Sequence, residues 1–390
     1  MKRILIIRHK NYPTAVPTRR NAETLAANGY AVDIVCLRDK GEQRRENVRG
    51  VNVYRLPVMH KRQGFRRYIF EYCAFFFLAF WQVTWLSLIK KYRVIQIDNM
   101  PDFLVFTALF SKLRGTKVIL QILDHTPEVF IDGFKASPKH PAVRVMRLLE
   151  KASIWFANHV LVTQSTSKDM LVSRGVPEAK ISVVLNVPDE NVFKSVPPSS
   201  NGNGHFRLMT HARIVDRYGL DTLINTVPLL KGEIPNLEVK IVGDGEGLPR
   251  LKELTDKLGV NDYVKFTGWV NADEIPGHIA QADVCLVVIP AGANPAMPNK
   301  LFEYSALGKP SVVTSIPSIK PYYDDNAVAY YNAGDTADLA RCIIELYKDP
   351  DRRAAMAASS SAVYQKYRWG NMKHEYLNAI ERLINRGAVR

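Results

Sequence analysis

The feature that most constrains this chain is its repeated exchange of short apolar runs with amphipathic segments. Ile4-Leu5-Ile6-Ile7 gives way to helical spacing from Thr18 to Asn28, which Gly29 closes before a second apolar run from Ala31 to Leu37. The spacing predicts further strands at Val51–Pro57, Val94–Asp98, Thr116–Ile122, Val160–Thr163 and Ile181–Leu185, with helices at Asp102–Leu113, Pro141–Phe156 and Lys168–Ser173. Strands that are apolar throughout need cover on both faces, and helices between parallel strands supply it. Asn186 to Gly204 interrupts the rhythm with Pro188, Pro197, Pro198 and a Ser, Asn and Gly run, a linker composition. The rhythm then restarts, with strands at Phe206–Thr210, Val239–Val242 and Val264–Thr267 and helices at Gly219–Leu230, Leu248–Leu258 and Asp273–Ala280. The expected architecture is α/β, with two Rossmann-like domains at 1–190 and 206–368, a linker at 191–205, and a final helix within 369–390.

A chain of 390 residues, 47% hydrophobic and 23% charged, is long enough to give each domain its own core. Its 53 Lys and Arg against 38 Asp and Glu leave +15, which favours an acidic partner: nucleic acid, anionic lipid or a phosphorylated substrate. Cys36, Cys73, Cys285 and Cys342 are scattered through apolar runs and read as reduced core thiols of a cytosolic protein. Arg8, His9 and Lys10 end the first apolar run too early for an export segment. Asn11 to Arg20 holds no glycine, which argues against a G-x-G-x-x-G dinucleotide site.

Tyr68 to Ile89 is almost continuously apolar between two basic flanks, Lys61, Arg62, Arg66 and Arg67 before it and Lys90, Lys91 and Arg93 after it. Its length would allow a bilayer span. Glu71 and Gln82 interrupt it, however, and a sheet strand follows at once. The expectation is a long helix packed on the first sheet, with a helix lying in a membrane interface as the alternative. In either case the basic flanks can hold the protein near anionic lipid.

The stretch from Asp283 to Ser315 carries the chemistry. It reads as a strand (Val284 to Ile289), a loop (Pro290 to Pro298), a helix (Asn299 to Leu307), the stop Gly308-Lys309-Pro310, and a strand from Ser311 to Thr314. Glu303 falls in the first two turns of a helix that opens beyond the C-terminal end of a parallel strand, where open α/β sheets bind ligands. The N–H groups of that first turn favour an anion. A carboxylate beside them suits a nucleotide, with the diphosphate on the N–H groups and ribose hydroxyls on Glu303.

Pro298-Asn299-Lys300-Leu301-Phe302-Glu303-Tyr304, followed by Ala306-Leu307-Gly308-Lys309-Pro310, resembles the donor-site segment of GT4-type retaining glycosyltransferases, the glycosyl transferases group 1. The resemblance implies the GT-B fold, two Rossmann-like domains facing each other across a cleft, with a C-terminal helix crossing back to the first. It implies a nucleotide-sugar donor held by Met297, Asn299, Lys300, Leu301 and Glu303. His211 to Gly219 resembles the family's G-R…K-G segment, so Arg213 and Arg217 are expected to clamp the diphosphate, with solvated arginines as the alternative. Gly243-Asp244-Gly245 matches the family's G-D-G turn, and Gly268, Trp269 and Val270 are placed beside the nucleotide base. Three positions depart from the pattern: Pro295 replaces the first of two glutamates, Tyr218 a lysine, and Leu123 a histidine.

The first domain is expected to hold the acceptor. Asn99-Met100-Pro101-Asp102 and Leu123-Asp124-His125-Thr126-Pro127-Glu128 follow strand ends and resemble segments of a GT4 subgroup. Asn99, Asp102 and Glu128 are read as acceptor contacts, and Asp124 or His125 as touching the transferred sugar; a solvated His125 is the alternative. Arg19 and Arg20 resemble a phosphate-holding helix start, or are simply a basic one. The implied reaction is retaining transfer, with Asp124, His125, Arg213 and Lys300 doing the chemical work. No metal or other cofactor is expected. No Ser/His/Asp set, metal cluster or close carboxylate pair is visible in the sequence, which weighs against hydrolysis by two acids. The expected partners are a nucleotide-sugar, a glycan or polyprenyl-phosphate-linked acceptor in surface polysaccharide or glycoconjugate synthesis, and the anionic inner face of a membrane bordering the cytoplasm. A nucleotide-binding scaffold without catalysis is the alternative function. Nucleic-acid binding rests on charge alone and finds no recognition motif.

Overall fold

The computed structural model describes residues 1–58, 65–193, 204–215, 218–293 and 297–386. They form two compact units, Met1–Asn186 with Gly370–Arg390, and Val187–Trp369. In the first, the chain runs β1 (Arg3–Asn11), α1 (Val16–Ala27), β2 (Ala31–Leu37), β3 (Arg45–Val48), β4 (Val51–Leu56), α2 (Phe65–Ile89) and β5 (Tyr92–Asp98). A 3-10 helix (Asp102–Ala108), α3 (Leu109–Leu113), β6 (Lys117–Ile122), α4 (Thr126–Phe134), α5 (Pro141–Phe156), β7 (His159–Val162), α6 (Ser165–Ser173) and β8 (Ile181–Val183) follow. The second unit holds α7 (Glu190–Phe193), β9 (Phe206–His211), α8 (Leu220–Leu230), β10 (Leu237–Val242), α9 (Leu248–Leu258), β11 (Val264–Phe266), α10 (Ile275–Ala280) and β12 (Val284–Val287). It continues through α11 (Asn299–Ala306), β13 (Ser311–Thr314), β14 (Ala329–Tyr331), α12 (Thr336–Lys348) and α13 (Pro350–Tyr367). The last helix, α14 (Trp369–Arg386), belongs to the first unit from Gly370 onward.

The first sheet has the order β3-β4-β2-β1-β5-β6-β7-β8, parallel except where β3 meets β4. Ile4, Leu5, Ile6 and Ile7 of the central strand are fully buried, as a strand covered on both faces requires. The chain steps outward from β1 to β2 and β4, then returns to β5 on the other side of β1. That reversal opens a crevice beyond the C-terminal ends of β1 and β5. Arg8 and Asp98 are register partners there. The second sheet, β11-β10-β9-β12-β13-β14, is parallel throughout and reverses between β9 and β12. Each sheet has its own core, one around Leu5, Ile95, Leu120 and Val160, the other around Leu208, Ile241, Leu286 and Val312.

Several elements differ from the sequence expectation. The helix expected over Asp102–Leu113 is 3-10 up to Ala108, and the Thr107 hydroxyl donates to the Leu104 carbonyl at 2.6 Å, taking an acceptor of the ladder. β3 was not expected. It pairs with β4 through a two-residue turn in which Arg49 (φ 53) and Gly50 (φ 82) both take left-handed backbone, a geometry that favours tight hairpins. Helices α4, α12 and α13 and strand β14 are also additions, and Cys73 is exposed, not a core thiol. Glu71, the acid inside apolar α2, is buried 3.2 Å from His9 Nε2.

Candidate functional site

In the second unit the functional side chains gather where β9 and β12 end. His211 closes β9, and its Nε2 lies 3.0 Å from Glu303 Oε2. The His211 ring meets Tyr304 edge-on, with centroids 5.5 Å apart, and the buried Tyr304 hydroxyl accepts the His211 N–H at 3.4 Å. Tyr304 therefore fixes both the helix and the imidazole that faces Glu303. Lys300, one turn earlier in α11, reaches Thr210 Oγ1 at 3.4 Å and lies 5.9 Å over the Tyr218 ring. Burial pushes the Lys300 ammonium down to about 8, with Glu303 opposing the shift. A carboxylate, an imidazole and an ammonium thus share the start of a helix whose N–H groups favour an anion.

The loops that frame these groups are packed backbone to backbone. Ala212 N–H donates to Val242 O at 3.0 Å, Ile214 N–H to Asp244 O at 2.9 Å, and Gly247 N–H to Ile214 O at 3.0 Å. A Cβ at Gly243 would lie 1.9 Å from the Ala212 carbonyl oxygen, and one at Gly245 would lie 2.2 Å from that of Ile214. The G-D-G turn is thus a packing requirement that aligns the loop carrying Arg213.

The expected donor residues fall out unevenly. Arg213 is about half exposed, with Nη2 3.0 Å from Glu246 Oε2, a pair weak enough to exchange for a phosphate. Arg217 and Pro295 lie outside the described residues. Asn299 is exposed at the first position of α11, while Met297 is buried. Leu301 has a fully buried side chain, and its N–H donates to Pro298 O at 3.0 Å, which ties it to the helix start. Asp244 Oδ1 accepts the Gly245 N–H at 2.7 Å. Gly268 O accepts the Gly243 N–H at 3.1 Å; Trp269 is 72% exposed and Val270 half-buried.

In the first unit, three expected acceptor residues are already held by other groups. Asn99 is fully buried; its Nδ2 donates to Asp102 Oδ1 at 2.8 Å and Asp124 O at 2.6 Å, and its Oδ1 accepts the Leu123 N–H at 2.8 Å. Asn99 and Asp102 therefore pin the β5 and β6 loops together and are enclosed. Glu128 is the third, bound by Arg174 Nη2 at 2.5 Å. Arg174 Nη1 also holds Glu150 at 2.6 Å, and Glu150 Oε1 lies 2.9 Å from His125 Nδ1. Burial raises the Glu150 carboxyl, but the His125 and Arg174 hydrogen bonds overcome it and leave it below its ordinary range. His125 is thus neither solvated nor loose. It sits at the N-cap of α4, oriented through Nδ1, and its buried Nε2 has no hydrogen-bond partner among the described residues. His125, Glu128 and Glu150 bring ligand atoms within 4.8 Å of one another, but the Arg174 guanidinium already neutralises both carboxylates.

Asp124 is exposed beside this group. Arg19 is half-buried in α1 and Arg20 is buried, electrostatically coupled to Tyr376 of α14. The sequence reading missed Arg8, buried at 8% exposure near the C-terminal end of β1; its Nε and Nη1 are buried without hydrogen bonds, and Asp98 and Asp124 set negative charge against it. Its only signal was a cation in register with the end of a central strand.

Two family profiles match the chain: "Glycosyl transferase 4-like domain" over residues 14–186 and "Glycosyl transferases group 1" over residues 205–349. The chain is 33% identical over 167 residues to a GDP-mannose-dependent alpha-(1-6)-phosphatidylinositol monomannoside mannosyltransferase of Mycobacterium tuberculosis; that match spans 41% of this chain and 43% of the relative, less than half its length. It is 26% identical over 380 residues, 93% of each chain, to an uncharacterized glycosyltransferase of Methanocaldococcus jannaschii. The solved structure of Anabaena Alr3699/HepE in complex with UDP superimposes with a TM-score of 0.74 at 16% identity, covering 98% of this chain and 100% of that one, and shows the shared fold. With both profiles and the topology of both sheets in agreement, the chain belongs to the GT4-type glycosyltransferases, which have the GT-B fold.

Proposed function

We propose that the protein transfers a sugar, with retention of configuration, from a nucleotide-sugar to a glycan or lipid-linked acceptor in surface glycoconjugate synthesis. The observation that carries this reading is the placement of Glu303, Lys300 and His211 around the start of α11 at the reversal of the second sheet. Glu303 is placed to accept hydrogen bonds from ribose hydroxyls. Lys300 and the N–H groups of α11 face the diphosphate and stabilise its charge as it departs, the work a metal does elsewhere. Arg213 adds a second cation by leaving Glu246. In the first unit, His125 Nε2, with Nδ1 held by Glu150, offers a hydrogen bond to a sugar hydroxyl, and Asp124 offers a second. The similarity to a GDP-mannose-dependent enzyme and to a structure holding UDP supports a nucleotide-sugar donor and leaves the base open between guanine and uracil.

A thermal-shift screen against UDP, GDP, ADP and their sugar conjugates tests the reading. One nucleotide is expected to raise the unfolding temperature, with Glu303→Ala and Arg213→Ala each reducing the shift. No shift in a folded protein overturns it. Binding without turnover of any sugar conjugate marks a scaffold that has lost transfer.

A further inference from the structure

Helix α2 is apolar on two opposite sides. Phe75, Ala79, Val83 and Leu86 are fully buried within the first core. On the other side Phe70 (67%), Phe77 (61%), Trp81 (68%), Trp85 (59%) and Leu88 (53%) are exposed. These five residues recur at helical spacing and form one stripe along the helix. Single exposed apolar residues need no explanation, but a continuous aromatic stripe marks a surface that something covers.

The stripe continues past α2. Ser87 Oγ and Ser111 Oγ are 2.6 Å apart, which ties the last turn of α2 to α3. Lys112 in α3 donates to the Phe156 carbonyl at the end of α5. These helices precede β5, β6 and β7, so their C-terminal ends meet at the edge where the strands begin, opposite the crevice. The ends carry Leu88, Ile89 (56%), Leu113 (79%) and Trp155 (80%). Cations accompany them: Lys91, Arg93 and Arg114 are exposed. Lys112, Lys180 and Arg382, with Trp155, line an open depression of about 450 Å³ that no carboxylate lines among the described residues. Burial lowers Lys112 and Lys180, and a neighbouring lysine lowers each further, as expected of cations without a balancing charge.

We infer that the outer face of α2, continued by the ends of α3 and α5, docks on an anionic lipid bilayer. Tryptophan and phenylalanine are suited to the headgroup boundary, and adjacent lysine and arginine are attracted to anionic lipid. A second copy of this chain would set the same positive rim, on a molecule of net charge +15, against itself. By composition and length α2 could cross a bilayer, but the strands before and after it, β4 and β5, belong to one sheet. It therefore lies flat, with its inner side on the sheet and its outer side in the interface. This inference does not depend on donor binding.

Flotation of the full chain with vesicles of phosphatidylcholine, alone or mixed with phosphatidylglycerol, tests it. The protein is expected to float with the mixed vesicles. Lys91→Gln with Arg93→Gln should weaken binding by about fivefold for each charge removed. Trp81→Ser with Trp85→Ser should weaken it by about tenfold or more, and because both rings are exposed the unfolding temperature should not fall. Absence of flotation, or equal flotation by the tryptophan variant, overturns the inference. So does a dimer in sedimentation velocity that the tryptophan variant dissolves without any vesicle binding, which assigns the face to a second copy.

Discussion

Lys300→Met separates what the donor site does for stability from what it does for binding. Burial pushes the ammonium from its ordinary 10.5 down to about 8. A shift of that size corresponds to about 3 kcal/mol, and water reaching the part-exposed side chain reduces the working figure to about 2 kcal/mol. Because the folded value lies below the unfolded one, the unfolded chain binds more protons between about pH 8 and pH 10.5, and stability rises with pH across that window. Methionine keeps an unbranched apolar stem, one atom shorter, and removes the charge. The variant should therefore be more stable than the parent at pH 7 by about 2 kcal/mol, or about 4 to 8 °C for a unit of this size, and the difference should vanish by pH 10.5. Losing a charged donor to a diphosphate should weaken nucleotide binding by about 10- to 100-fold. Thermal unfolding across pH, with and without UDP and GDP, reads both effects. A variant less stable than the parent at pH 7, or one that binds nucleotide as tightly, refutes the assignment.

Gly243→Ala should destabilise the second unit by about 3 kcal/mol or more, because the added carbon meets a backbone carbonyl that cannot withdraw; urea unfolding measures it. Glu150→Gln should cost about 3 kcal/mol at pH 7 by leaving the Arg174 and His125 groups poorly balanced. Since Glu150 is held below its ordinary 4.5, the parent should keep that advantage at neutral pH and lose it as pH falls through the folded value, which acid titration of stability will show. Tyr376→Phe removes the donor to Gln96 Oε1, now 2.7 Å away and buried, and should cost the first unit about 1 to 2 kcal/mol without changing nucleotide affinity.

The strands were legible because fully covered strands are written as unbroken apolar runs: Ile4 to Ile7 and Val284 to Val287 can do little else. Helix α11 was legible from Gly308, which takes φ 60 after its last turn. What the sequence hid depends on distance along the chain. Nothing local distinguishes Asn99, a buried pin, from an exposed polar contact, because the Leu123 and Asp124 groups it holds lie beyond an intervening helix and strand. The His125–Glu150–Arg174 chain likewise spans three elements, so His125 read alone was indistinguishable from a solvated loop residue. The β3 hairpin was missed because Arg49 occupies a turn position usually filled by glycine or asparagine.

The hydrogen bond from Tyr376 to Gln96 joins residues 280 positions apart. During synthesis at about 5 to 20 residues per second, the Gln96 side chain exists for tens of seconds before its donor has been made. Synthesis of the second unit, contiguous from Val187 to Trp369, fills much of that interval and ends just before Tyr376 is made. The first must wait with an open seam where Tyr376, Ala379 and Ile380 will close it. The unit that begins first therefore receives its last element last, and a chain released at Trp369 would leave the earlier-made unit as the unfinished one.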